Sequence, residues 1–531
     1  MTSAAGLGAA IRAANLRLAL LVPLVLVALG GCADGQDEAV RTAPLRVAMS
    51  TFSDGTFLPW NGSTGRKPYL DTIYEYLVYL DPETLEPRPG LAERWEMGPN
   101  GDRFRLWLRR GVQFQDGWGE LTAADVEYTF RRMMAPDSIA GMASTLRFLI
   151  TDVRAVDRYE VAIELRAPDI DFVAGYLSNA VAVPIASRAY VEAVGDSEAN
   201  ARPVGTGAFT LSAYREETDI ELSAIDGGSG HWRVQPQFEA LRFLSVPEEF
   251  TRAAMLKAGE VDIAPINYDS IKALAAAGIR THYVAGNWAP VIRFGGLVEG
   301  RLNPNVPWHD RAVRQAMNYA IDKEAIVRHV LQGQAEITVS DFPVEEWSPL
   351  APYPYDPAKA RSLLAEAGYP DGFDMVLRTF TTSPGAELPI IAEVVAGYWR
   401  AVGIRATIVP TTWTSLRTAW STGNAGDIAW THRGLAFPNV LQGLFASVHT
   451  SNLFATFANA HTDAEVAAIG AELDRERRAL LVRRLGEYLR DEAANVYIGV
   501  ANEPYGISAR VGAWPTLSLV TNVDLVTRAG D

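Results

Sequence analysis

Hydrolytic or group-transfer chemistry draws on a nucleophile, a metal-ligand set or a phosphate cradle, and in this chain of 531 residues the residue types for these are scattered. The histidines His231, His282, His309, His329, His432, His449 and His461 fall in no H-E-x-x-H spacing. Gly227-Gly228-Ser229-Gly230 lacks the G-x-S-x-G spacing of a hydrolase nucleophile turn. No G-x-x-x-x-G-K-[ST] phosphate loop is present. A single cysteine, Cys32, leaves no disulfide framework and no cysteine-based zinc site. Binding chemistry remains. Trp430-Thr431-His432-Arg433 puts an aromatic face, an imidazole and a guanidinium within one short loop. A guanidinium there suits a carboxylate or phosphate, and tryptophan faces stack on rings. The competing readings are a solvated loop charge for Arg433 and core packing for the tryptophans, of which there are 13. No acidic residue occurs from Ile428 to Thr462, so this stretch offers nothing to a buried ammonium. An acid from elsewhere, such as Asp54, could substitute.

Cys32 owes its interest to what precedes it. Arg12 and Arg17 lie in a start without acidic residues, and Leu18–Leu29 is almost wholly apolar with Pro23 in its middle. A stretch of this length rises only ~18 Å as a helix, short of a ~30 Å hydrocarbon core. Basic start, short apolar core and the small residues Gly30 and Gly31 describe a secretory signal. Leu29-Gly30-Gly31-Cys32 matches the bacterial lipobox, whose cysteine is lipidated and becomes the mature N-terminus. Residues 1–31 are thus expected to be a lipoprotein signal peptide and 32–44 a lipidated tether, rich in small polar residues. The anchor would hold the chain outside the cytoplasmic membrane. The net charge of −15, more negative once the leader's arginines are gone, argues against nucleic acid as partner.

The elements that position these residues alternate between strand and helix. Arg103–Leu108 has period two, with Phe104, Leu106 and Leu108 on one face. Thr122 and Asp125 make a capping box. Asp310, Asp322 and Asp356-Pro357 are further helix starts, and Asp71–Tyr79 and Thr462–Asp491 read as helices. The chain is too long for one compact core, and mixed α/β with more than one open sheet is expected.

Motifs in this order resemble the extracellular solute-binding proteins of family 5, the dipeptide-, oligopeptide- and nickel-binding proteins of ABC importers. Pro89-Gly90-Leu91-Ala92-Glu93-Arg94-Trp95, Leu108–Gly117 and Leu121–Val126 are similar to its P-G-L-A-x-x-W, L-R-x-G-V-x-F-x-D-G and L-T-A-x-D-V. Pro203–Phe209, Gly259–Ile263, Val313–Asp322 and Tyr355–Ala360 with Leu363–Pro370 extend the likeness. Arg314, Asp322 and Asp356 read as caps and surface pairs, and Gly205 and Gly207 as turn glycines.

The resemblance implies a two-lobed periplasmic-binding-protein fold (type II, with an extra subdomain) joined by two hinge segments. Lobe I would hold 45–285, with the subdomain at about 70–195 and a C-terminal return at 496–531. Lobe II would hold 286–495, and the hinges would lie near Tyr283–Trp288 and Asn495–Ile498. The implied role is capture of a peptide or peptide-like solute for a permease and its ATPase subunits, by a monomer without cofactor. By family position the ligand-binding candidates are Phe52, Trp60, Asn287, Trp288, Trp413, Trp430, His432 and Arg433. The family's peptide binders carry an aspartate in the loop that here reads Trp430–Asn439, so this chain departs from them. A nickel or other metal chelate (with His449), a saccharide or an anionic solute are the alternative ligands. An extracytoplasmic hydrolase and a sensor or docking module without transport are the alternatives of other classes.

Overall fold

Strand alternation and helix capping account for most of the framework. In the strand Arg103–Leu108 the side chains of Phe104, Leu106 and Leu108 are buried while Arg103 and Arg105 face water. Each such burial is worth roughly 1.5–3 kcal/mol. This strand lies in an antiparallel sheet ordered Ala92–Met97, Arg103–Leu108, Glu160–Leu165, Ile150–Ala155. The helix Ala123–Met133 starts on the Thr122–Asp125 capping box. The carboxylates of Asp310, Asp322 and Asp356 accept from the backbone N–H of Ala312, Ala325 and Lys359, each opening a helix.

The computed structural model describes residues 43–530 except 83, 181–182, 229, 341–345, 347–348, 381–386, 422–423, 435–438 and 517–521. The signal segment, Cys32, most of the tether and Ser229 lie outside the described residues.

Among the described residues one mixed 12-stranded sheet runs through the molecule. Its main path is Ile404–Thr411, Phe373–Phe380, Ala429–Gly434, Arg280–Phe294, Val500–Ile507, Ile263–Pro265, Leu45–Met49, Ala240–Ser245, Asp219–Ala224, Phe209–Arg215. Two large hydrophobic cores pack on it. The first draws on residues from Leu45 to Ile263 and again from Ile507 to Val526. The second draws on residues from Tyr268 to Ala501.

The long strand Arg280–Phe294 bridges the cores. Its first half pairs with Val500–Ile507, in the register Val284↔Glu503 and Trp288↔Ala501. Its second half pairs with Ala429–Gly434, in the register Pro290↔Arg433. The ladder is irregular between Val284 and Trp288, where Gly286 has φ 58°. A left-handed residue in a bulge lets the strand bend there.

Several local expectations are corrected. The helix expected over Asp71–Tyr79 is the helix Lys67–Ile73, followed by extended chain and the strand Val78–Leu80. Glu75 explains the change: its carboxylate accepts from Trp232 and Arg233, both at 2.7 Å, and this buried pairing overrides helical propensity. The single helix Thr462–Asp491 is two, Ala460–Ala471 and Arg475–Asp491, because Asp474 caps the second. Arg314 is no surface pair. Buried, it donates to the carbonyls of Trp308, His309 and Glu492 and reaches the Glu492 carboxylate at 3.1 Å. Gly205 and Gly207 are needed for close approach: a Cβ there would lie 2.1 Å from the Ile73 oxygen and 2.5 Å from the Thr72 oxygen.

Candidate functional site

Trp430, His432 and Arg433 lie not in a loop but in the strand Ala429–Gly434. Period two sends Trp430 and His432 to one face and Thr431 and Arg433 to the other. On the first face Trp420 meets Trp430 edge-on at 4.6 Å and His432 at 6.3 Å. Burial, helped by the charge of Arg293, pushes the His432 imidazole well below its ordinary range, so it is neutral at pH 7. The Trp430 indole N–H is buried and meets no acceptor among the described residues.

Arg433 reaches across to the strand Val500–Ile507. Its Nη1 donates to Glu503 Oε1 at 3.1 Å, and its Nη2 stands 3.0 Å from Oε2, a two-pronged ion pair. The same guanidinium lies 5.6 Å from the Trp288 ring centroid. The Trp288 indole N–H donates to the Tyr268 hydroxyl at 3.4 Å, which in turn donates to the Asn502 carbonyl at 2.6 Å. Burial works against the charge on Arg433, yet Glu503 holds its pKa above the ordinary value. The guanidinium that the sequence offers to an anionic solute is therefore already engaged by an internal carboxylate.

Glu387, at the start of the helix Leu388–Arg400, completes the group. Burial first, then the like charges of Glu503 and Asp269, push its carboxyl up to about 7 against the pull of its own backbone N–H and of Arg433. Neither a hydrogen bond nor an ion pair joins that carboxylate to another described side chain. Burial and Glu503 likewise raise the neighbouring Tyr505 hydroxyl. With Arg433 neutralised by Glu503, Glu387 leaves the group with surplus negative charge once ionised. Such a group favours a cation, and one charge-assisted hydrogen bond there is worth roughly 1.5–3 kcal/mol.

Of the residues expected from sequence, Trp288 and Arg433 come together in this group, with Trp430 and His432 on the opposite face of the same strand. Phe52 and Trp60 do not join them. Phe52 is buried edge-on against Tyr69 at 6.1 Å. Trp60 lies under Arg132 and donates its N–H to Asp196 at 3.3 Å. Both belong to the first core. Asn287 lies on the long strand and Trp413 opens the helix Trp413–Ser421, but their side chains are outside the described residues. Asp54 accepts from the Ser63 N–H at 2.6 Å, within its own loop. His449 stacks near Phe445 at 4.8 Å and its Nδ1 accepts from the Ser451 N–H at 3.2 Å. Among the described residues no three His, Cys, Asp or Glu side chains are grouped to hold a metal. Glu503, Glu387, Tyr268 and Tyr505 are the site residues that sequence reasoning missed. The one signal is the two-residue spacing of Glu503 and Tyr505, which puts both on one face of the strand Val500–Ile507.

Residues 86–454 match the model for bacterial extracellular solute-binding proteins, family 5 middle. The dipeptide-binding protein of Escherichia coli is 31% identical over 72% of this chain and 71% of its own length. The heme-binding protein A of Haemophilus influenzae is 27% identical over 85% of this chain and 84% of its own. A solved periplasmic binding protein of an ABC transporter from Helicobacter pylori, DppA with the peptide STSA, superposes with a TM-score of 0.78 at 21% identity. It covers 93% of this chain and 99% of that one.

Proposed function

The chain belongs to the bacterial extracellular solute-binding proteins of family 5, and from that premise we propose that it captures a peptide or peptide-like solute outside the cytoplasmic membrane and delivers it to the permease of an ABC importer. It works by closing two lobes on the solute, making and breaking no covalent bond. Lobe I comprises 45–285 with the return 496–531, and lobe II comprises 286–495. The bend between Val284 and Trp288 serves as a hinge, absorbing the torsion change while each core stays intact. Solute that contacts both lobes shifts the population toward the closed form. Cys32 carries the lipid that keeps the monomer at the membrane.

The observation that carries the ligand class is the Glu387 carboxyl, beside the Arg433–Glu503 pair and joined by no hydrogen bond or ion pair to another described side chain. It takes the part of the aspartate missing between Ile428 and Thr462 and receives the solute's ammonium or another cationic group. A free-amine peptide thereby regains favour over an anionic solute.

Native mass spectrometry of the protein purified without its leader tests this reading. The expected result is a retained solute of peptide size and a rise in melting temperature when that solute is returned to stripped protein. A protein that retains nothing and responds to no peptide pool, or that turns over peptide or ester substrates, contradicts it.

A further inference from the structure

Away from the bridging strands, parts of the two cores meet a second time. Arg478, on the helix Arg475–Asp491, places Nη1 2.5 Å from the carboxylate of Asp171, 307 residues earlier in the chain. The Arg478 side chain is 9% exposed, so the pair is largely withdrawn from water. Beside it Asn439 caps the helix Val440–Val448 through its Oδ1, while its Nδ2 lies 3.4 Å from the Asp169 carboxylate and 3.3 Å from the Asp171 carbonyl. Gly175 makes room for this: a Cβ there would stand 2.3 Å from the Asn439 Nδ2. On the same helix Phe445 stacks on Phe148 with ring centroids 4.6 Å apart and planes inclined by 25°. Phe148 is otherwise 44% exposed.

These residues share no strand pairing across the contact, and each side packs on its own core: Leu149 and Phe172 on the first, Leu444 and Val482 on the second. A lobe rotation about the bend at Val284–Trp288 separates them without breaking either core. We propose that this contact is a latch, which favours the closed arrangement before any solute arrives. The inference rests on the two-lobed capture mechanism above and adds that closure is biased by the protein itself. Two consequences follow. Apparent affinity equals intrinsic affinity scaled by the fraction of protein in the binding-competent state, so a weakened latch lowers affinity without touching the solute site. The stacked phenyl rings and the withdrawn ion pair must also be wetted when the lobes part, which slows opening.

The test uses the mature chain with one spin label on each lobe and measures the distance distribution between them, free of solute and then with the co-purified solute returned. The variants are Arg478→Ala, Phe445→Ala, Gly175→Ala and the charge exchange Asp171→Arg with Arg478→Asp. Far-UV circular dichroism establishes that each is folded. The latch predicts longer solute-free distances for the first three and about a 3- to 10-fold loss of affinity. It predicts return toward the wild-type distribution for the charge exchange. Distances unchanged from wild type in folded Arg478→Ala and Phe445→Ala overturn the latch. Variants that open while the wild type ignores every solute leave the latch standing and overturn the capture mechanism instead.

Discussion

Arg433 and Glu503, 70 residues apart, face each other across strands that lie on either side of Arg280–Phe294, and their two-pronged pair closes the group around Trp288. Their side chains are 16% and 18% exposed, which sets the scale of what breaking the pair does. Replacing Glu503 by Gln leaves a largely buried guanidinium without its counter-charge. The expected loss is about 3 kcal/mol, the lower end for a broken buried pair given its partial exposure. Urea unfolding measures it, and a loss below about 1 kcal/mol would place the pair among solvated surface bridges.

The pH dependence follows from Glu387. Its carboxyl is raised from the ordinary value of 4.5 to about 7, so between those values the folded protein binds more proton than the unfolded chain. Stability conferred by this group is therefore full below pH ~4.5 and is lost as the pH rises toward ~7. Glu387→Gln removes that slope, and the difference between wild-type and variant melting temperatures across pH 4–8 isolates it. A cationic solute has the opposite sign: its affinity rises as Glu387 ionises. A wild-type profile superimposable on the variant's would remove Glu387 from the group.

Two tryptophans give a paired comparison. Trp308 donates its indole N–H to the Gly295 carbonyl at 2.9 Å, whereas the Trp430 N–H has no acceptor among the described residues. Both substitutions to Phe lose packing volume, but only Trp308→Phe strands a buried carbonyl. It is expected to destabilise by about 1–2 kcal/mol more than Trp430→Phe in denaturant unfolding. Equal losses would mean that the Trp430 N–H is satisfied in solution.

Arg314 ties the helix Arg311–Tyr319 to the carbonyl and carboxylate of Glu492. Arg314→Ala removes the donor to the carbonyls of Trp308, His309 and Glu492 and leaves the Glu492 carboxylate with Arg311 alone, and a loss of about 3 kcal/mol is expected by calorimetry or urea unfolding. A neutral outcome would show that the contact opens freely.

Cys32→Ala is expected to move the protein from the membrane fraction to the soluble one. Unchanged fractionation would count against lipidation at that position.

Much of the framework is legible because its rules are local. The alternation of Phe104, Leu106 and Leu108 and the caps at Asp310, Asp322 and Asp356 need only neighbours within a few residues. Thr462–Asp491 misleads because helical periodicity continues through Glu472–Asp474, where the chain breaks and Asp474 caps a new helix. Trp430–Arg433 reads as a loop because a polar Thr-His-Arg run hides a strand fixed by pairing with Ala289–Phe294. The site is the least legible part. Arg433 stands out as a charge beside an aromatic, but its partner Glu503 comes from a strand on the far side of the sheet path, and Glu387 from a helix start. Only tertiary pairing brings them together, so the sequence presents Arg433 as an open cation when the fold has neutralised it.

Small-angle scattering on ligand-stripped protein carrying Arg478→Ala, so that the latch does not pre-close it, before and after return of the co-purified solute, tests closure most directly. The account predicts a smaller radius of gyration on adding solute, with secondary structure unchanged. A scattering curve identical in the presence and absence of every solute that the protein retains would contradict it.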